Sequence, residues 1–199
     1  MATMFSQLVN WRHVAWAALA ALILTCASVM PSVAGERALW QALKSGDAFA
    51  IMRHALAPGT GDPANFEIGD CATQRNLSHA GRAQARRAGA LFRENGVASA
   101  EIFSSQWCRC RETARLLDLG GPQDLAAMNS FYEAVERREA QTAELKRWLQ
   151  ALSSTAPLVL VTHQVNISAL TGRFTRSGEI LFVKPTADGA YDVLGSVVP

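Results

Sequence analysis

Two histidines in this chain stand where short apolar runs stop. "FAIM" runs into Arg53-His54, and "PLVLVT" runs into His163. A third run, "AEIF", ends in Ser104-Ser105, and Arg109 follows shortly after it. Charges at a strand tip often mark only its surface boundary. At the carboxyl end of a parallel strand they sit where open α/β sheets bind ligands. If the three runs are parallel neighbours, their tips share one edge, and His54, His163, Arg53 and Arg109 converge there. Guanidinium forks suit a phosphoryl dianion, and helix amino termini add partial positive charge. An imidazole facing the phosphorus can attack it and form a phosphoenzyme, which splits hydrolysis into two easier steps.

The rest of the chain must position that cluster. Its 199 residues suit one domain, and the 49% apolar and 18% charged fractions fit a folded one. A net charge of +2 argues against a nucleic-acid partner and against a strongly basic membrane-surface protein. Residues 1–34 read as a secretory signal: Arg12 precedes an apolar core from Val14 to Ala27, then Pro31 and "SVA". Cleavage after Ala34 leaves a domain over 35–199 in the periplasm or outside the cell. The alternative is an uncleaved anchor facing the periplasm, which would be the chain's one membrane contact. A lipidated Cys26 is disfavoured by the bulk of Thr25 before it.

Removal of that segment leaves Cys71, Cys108 and Cys110. In an oxidising compartment these suggest one disulfide, Cys71 with Cys108 or with Cys110, and one free thiol. The C-x-C spacing and the few histidines speak against a metal site, and no cofactor is called for.

Along the domain, helix and strand signals alternate. "ERALWQALKSGD" has helical spacing, and Ser78 caps a helix that runs to about Asn95 and stops at Gly96. On it, Ala80, Gln84, Ala88 and Leu91 form one side, and Arg82, Arg86 and Arg93 form a solvated one. "QWCRCRETARLLDL" and "AQTAELKRWLQAL" are two more helices, and "LAAMNSF" reads as a third strand. "EILFVK" and "YDVLGSV" close the chain as a hairpin about Asp188-Gly189. The alternation predicts an α/β three-layer sandwich on a mostly parallel sheet with antiparallel strands at an edge.

"RHA", "LSHAGRAQA", "SSQWCRCRETA" and "VTH", in this order and spacing, resemble the histidine phosphatase superfamily of phosphoglycerate mutase-like fold. The resemblance runs from Phe49 to about Ser196. It implies His54 as nucleophile, with Arg53, Arg109 and His163 as the phosphate pocket. Ser105 and Thr113 fall into the pattern, Thr113 with a structural role. The general acid it implies is Glu133, with Asp62 and Asp70 as rivals and a plain surface carboxylate as the alternative. The family usually has Gly where this chain has Ala55, which would matter if the backbone there needs positive φ. The insertion "LAPGTGDPANFEIGDCATQRN" replaces the usual polar contacts and puts Arg75 and Gln74 in reach of the pocket, Arg75 through a Cys71 tether. His79 reads as a helix-start residue. "VTHQVNISALTG" with "SGEILFV" also resembles short exported bacterial members, among them phosphatases for heptose phosphate in lipopolysaccharide. The implied substrate is a small phosphorylated molecule of the envelope, such as a sugar phosphate or a lipopolysaccharide component. The alternative is a phosphate-binding protein with little or no turnover.

Overall fold

The computed structural model describes residues 33–199. The expected signal segment lies outside the described residues except for its last two positions, which open helix α1, Val33–Ser45. Glu36 in its first turn and Lys44 in its last complement the helix dipole. Trp40 and Leu43 are its buried side, and Gly46 ends it in the left-handed region at φ 79°.

Strand β1, Phe49–Arg53, leads into the long loop. Helix α2, His79–Glu94, follows it, with the Ser78 side chain accepting from Gly81 N as the sequence predicts. Then come β2, Glu101–Ser104, α3, Cys108–Leu117, and the two-residue β3, Gln123–Asp124. Helix α4 spans Arg138–Ala151, β4 Leu158–Thr162 and α5 Gln164–Thr171. Strands β5, Ile180–Pro185, and β6, Tyr191–Val197, form the closing hairpin. The sheet order is β3-β2-β4-β1-β5-β6. The first four strands pair in parallel, and β5 and β6 add the antiparallel edge.

Both faces of this sheet are covered, and the period-two alternation of the strands shows it directly. Ala50, Met52, Val159, Val161, Ile180 and Phe182 point into one core with residues of α1, α2 and α3. Their neighbours Phe49, Ile51, Leu158, Leu160, Leu181 and Val183 point into the other, with Leu145 of α4 and Ile167 of α5. Every residue of β4, and every residue of β1 but Arg53, thus leaves water, which is why these runs are continuously apolar. Trp40 packs edge-on against Phe92 and Phe182, with ring centroids 5.1 and 4.8 Å away.

Two expectations need correction. The buried face of α2 is Gly81, Ala85, Ala88, Gly89 and Phe92, while Ala80 is exposed. The two glycines decide this. A Cβ at Gly81 would stand 2.0 Å from Leu56 O, and one at Gly89 would stand 2.0 Å from Leu117 O. That backbone approach rotates the helix away from the alanine stripe. Second, "LAAMNSF" is not a strand: only Gln123 and Asp124 pair with β2, and a 3₁₀ turn over Ala126–Met128 follows. Side chains replace the ladder there. Gln141 donates to the carbonyls of Ala127 and Asn129, Thr162 to that of Met128, and Asn166 to that of Asn129. Buried backbone groups are satisfied either way.

Candidate active site

His54 is the first residue beyond β1, and its N–H still donates to Thr162 O of β4 at 2.9 Å. Gly178 N sits 3.1 Å from Arg53 O and 3.2 Å from His54 O, so the backbone of the pair is held from two sides. The imidazole Nδ1 lies 2.8 Å from Ala55 O. A carbonyl only accepts, so Nδ1 carries the proton and Nε2 keeps its lone pair. Burial pushes the His54 pKa down to about 3; Arg109 adds to this, the Ala55 contact opposes it, and Arg53 and Arg75 lower it further. The ring is neutral at ordinary pH, which is the nucleophilic form.

Ala55 carries no strain, because Asp118 is the sole non-glycine residue with positive φ among the described residues. Its methyl is buried with Ala57, Leu77 and Ala85. Ala55 N donates to Thr113 Oγ1 at 3.0 Å, and that hydroxyl donates to Arg109 O at 2.7 Å. Thr113 therefore ties the residue after His54 to the helix that carries Arg109.

His163 caps α5 one residue beyond β4. The two histidine rings meet edge to face at 5.5 Å, and Trp107 stands 5.4 Å from His163 on another side. His163 Nε2 is 2.9 Å from Ser105 Oγ, which lies 3.3 Å from Asn129 Oδ1. The buried Cys110 thiol is 3.4 Å from the same nitrogen. Burial first, then His54 and the three arginines, hold the His163 pKa well below its ordinary value. Burial likewise pushes the Cys110 thiol up to about 12, so it stays protonated.

The arginines meet in a cavity of about 330 Å³ that Arg53, Arg75, Arg109 and both histidines line. Arg109 is 3% exposed and forms a fork with Asp62: Nη1 to Oδ1 at 2.7 Å and Nη2 to Oδ2 at 3.1 Å. The Nε atoms of Arg53 and Arg109 are buried without a partner among the described residues. Arg75 enters from the loop as the sequence reading expects, donating from Nε to Gly61 O at 2.8 Å and from Nη1 to Ala57 O. Cys71 is bridged to Cys108, with Cα atoms 5.6 Å apart, and Cys110 is the free thiol. That bridge links the loop to α3 next to Arg109. Gln74 accepts from Cys108 N at 2.9 Å and holds the loop, without lining the cavity.

The three candidate acids part company. Glu133 lines the cavity from its exposed side. Its Oε1 lies 3.4 Å from Asp62 N and is where a Cβ on Gly61 would come within 2.9 Å. Burial would raise the Asp62 carboxyl, yet hydrogen bonds from Arg109, Arg75 N and Trp107 hold it below the usual range. It remains ionised and is a poor proton donor. Asp70 is exposed and accepts from Ala72 N at the start of a 3₁₀ turn, away from the cavity. His79 is exposed at the start of α2.

Sequence reasoning missed the supports. Asn129, the Trp107 indole and Gln164, whose Nε2 is buried in the cavity wall without a partner among the described residues, carry no motif of their own. Asp62 was visible as a carboxylate in a Gly-Pro turn, but its partner Arg109 lies far along the chain.

Residues 50–134 match the family model described as Histidine phosphatase superfamily (branch 1). No curated protein sequence matches the chain. Among solved structures, the protein histidine phosphatase SixA complexed with tungstate aligns with TM-score 0.51 and 16% identity, over 76% of this chain and 97% of that one. Phosphoglycerate mutase from Thermus thermophilus aligns with TM-score 0.55 and 20% identity, over 76% and 99%. A mycobacterial glucosyl-3-phosphoglycerate phosphatase aligns with TM-score 0.54 and 14% identity, over 74% and 96%. At these identities the likeness is one of fold.

Proposed function

We propose that this chain, whose residues 50–134 carry the histidine phosphatase superfamily pattern, is a phosphoric monoester hydrolase acting through a phosphohistidine on His54. The observation that carries the reading is the neutral His54: Nδ1 is committed to Ala55 O, and Nε2 has its lone pair free in a cavity lined by three arginines. In the first step Nε2 attacks phosphorus and the bond to the leaving oxygen breaks. Arg53, Arg109 and His163 stabilise the charge on the phosphoryl oxygens, and Glu133 gives its proton to the departing oxygen. In the second, Glu133 takes a proton from water, the resulting hydroxide displaces His54 from phosphorus, and inorganic phosphate leaves.

We place the protein in the envelope, on the leader-like residues 1–34 and on the Cys71–Cys108 bridge, a pairing that suits an oxidising compartment. Its substrate class in this reading is a small phosphorylated molecule such as a sugar phosphate or a lipopolysaccharide component. Aromatic side chains at the cavity, Phe66 stacked on Trp107 at 4.9 Å with Tyr132 and Phe174 exposed at its mouth, offer faces for such a leaving group. The exposure of Glu133 favours one competing reading, a phosphate binder that turns over slowly.

Hydrolysis of a chromogenic monoester, with an alkaline denaturing quench and detection of phosphohistidine, separates the two. The hydrolase gives turnover and an acid-labile label on His54, and a binder gives neither. In single-turnover kinetics Glu133→Gln should slow phosphorylation of His54 by esters of aliphatic alcohols by about 10²-fold and by nitrophenyl esters far less, since a good leaving group needs no proton. Equal slowing of both would remove Glu133 from the acid role.

A further inference from the structure

A carboxylate is out of place in the wall of a site for a dianion. Asp62 is there nonetheless, with its side chain 9% exposed against 3% for Arg109. Its oxygens receive Arg109 Nη1 at 2.7 Å, Arg109 Nη2 at 3.1 Å, the Trp107 indole N–H at 3.0 Å and Arg75 N at 3.0 Å. Four donors use up the lone-pair sites of a carboxylate. This is the fork an arginine forms with an anionic ligand, formed here with a residue of the same chain. A guanidinium has donors on two further edges. Asp62 holds the end-on pair, while among the described residues Nε of Arg109 is buried and unpartnered, as is Nε of Arg53.

We infer that Asp62 is a permanent internal counter-ion: it keeps the end-on fork of Arg109 when the pocket is filled, leaves the Nε edge to the phosphoryl oxygens, and weakens the pocket's hold on free phosphate. This rests on the phosphate-pocket reading above. Three arginines without a counter-ion would hold substrate and product phosphate more tightly alike, and uniform tightening does not raise turnover. A bidentate carboxylate lowers that hold and fixes the plane of the guanidinium at once. Asp62 is thus a positioning residue, acting through Arg109, and it needs no proton to do so.

Calorimetric titration with inorganic phosphate tests the charge. Asp62→Asn and Asp62→Ser, both neutral, should bind phosphate at least about tenfold more tightly than wild type, the scale of one charge removed from a partly buried site. Unchanged or weaker binding overturns the inference. A crystal structure of the wild-type protein with phosphate tests the geometry and does not depend on the variants folding. Asp62 should remain on Nη1 and Nη2, with a phosphate oxygen within hydrogen-bond distance of Nε. An Asp62 displaced from the fork, or a phosphate that ignores Nε, overturns it. Neither readout requires turnover. Tighter phosphate binding by the neutral variants of a protein that hydrolyses no monoester would sustain the counter-ion and sink the hydrolase; turnover with unchanged phosphate affinity would do the reverse.

Discussion

His54 and His163 stand one residue beyond β1 and β4, adjacent strands in register from Ala50 with Val159 to Arg53 with Thr162. Asp62, Arg75 and Glu133 reach the same cavity from segments with no ladder behind them. The floor inherits its geometry from the sheet, and both of its histidines are buried. The rim is held by a different set of devices: the Cys71–Cys108 bridge, the Asp62–Arg109 fork and side chains that cap loop carbonyls. Rigid elements carry the positions that the chemistry must hold closely, and loops carry those that meet the variable part of a substrate.

The contrast predicts a ladder of effects. His54→Ala removes the proposed nucleophile and should lower turnover by at least about 10⁴-fold with the fold retained by circular dichroism. Residual turnover within tenfold of wild type would mean that the floor does not do the chemistry. Arg109→Lys keeps the charge but cannot present a planar fork to Asp62 and an Nε edge to phosphate. A fall in kcat/KM of about 10²–10³ is expected.

The rim should behave otherwise. Replacing Cys71 and Cys108 by Ser opens a loop with a sequence separation of 37. Loop-closure entropy puts the loss at about 3–4 kcal/mol in denaturant unfolding. In steady-state kinetics the double variant should show a raised KM with kcat within a few-fold of wild type. A kcat loss as deep as that of Arg109→Lys would erase the distinction between floor and rim.

The last effect is one of pH. Unfolded, His54 takes up a proton near pH 6.5; folded, it does so only at about 3. Between these values the unfolded state binds more protons, so stability is full above pH 6.5 and drains as pH falls toward 3. Each such histidine contributes a slope of at most about 1.4 kcal/mol per pH unit. His54→Ala should unfold with a flatter pH dependence over that window, measured against wild type in the same buffers. A parallel dependence would mean that His54 is not buried neutral.

Much of this architecture was legible in the residues. Continuous apolar runs ending in His54 and His163 pointed to two central parallel strands and the edge where they meet, because a strand buried on both faces has no polar position until it emerges. Ser78 and Gly96 bounded α2 because cap chemistry is local. The face that α2 turns inward was not legible: Gly81 and Gly89 take their meaning from Leu56 O and Leu117 O, which are distant in sequence. "LAAMNSF" failed as a strand because its carbonyls find Gln141, Thr162 and Asn166, partners that no window of sequence contains.

At the site the division is the same. Residue type and spacing were enough to single out four residues that line one cavity, His54, Arg53, Arg109 and His163, because strand tips and a helix start are local signals that a parallel sheet brings to one edge. They also raised the doubt over Ala55, and local backbone geometry removes it. Folding in three dimensions was needed to choose Cys108 as the partner of Cys71, to bring Arg75 to the cavity wall, and to spend Asp62 on Arg109 instead of on a proton. Those are pairings across a long loop. Distance and burial choose among chemically equal partners there, and residue type does not.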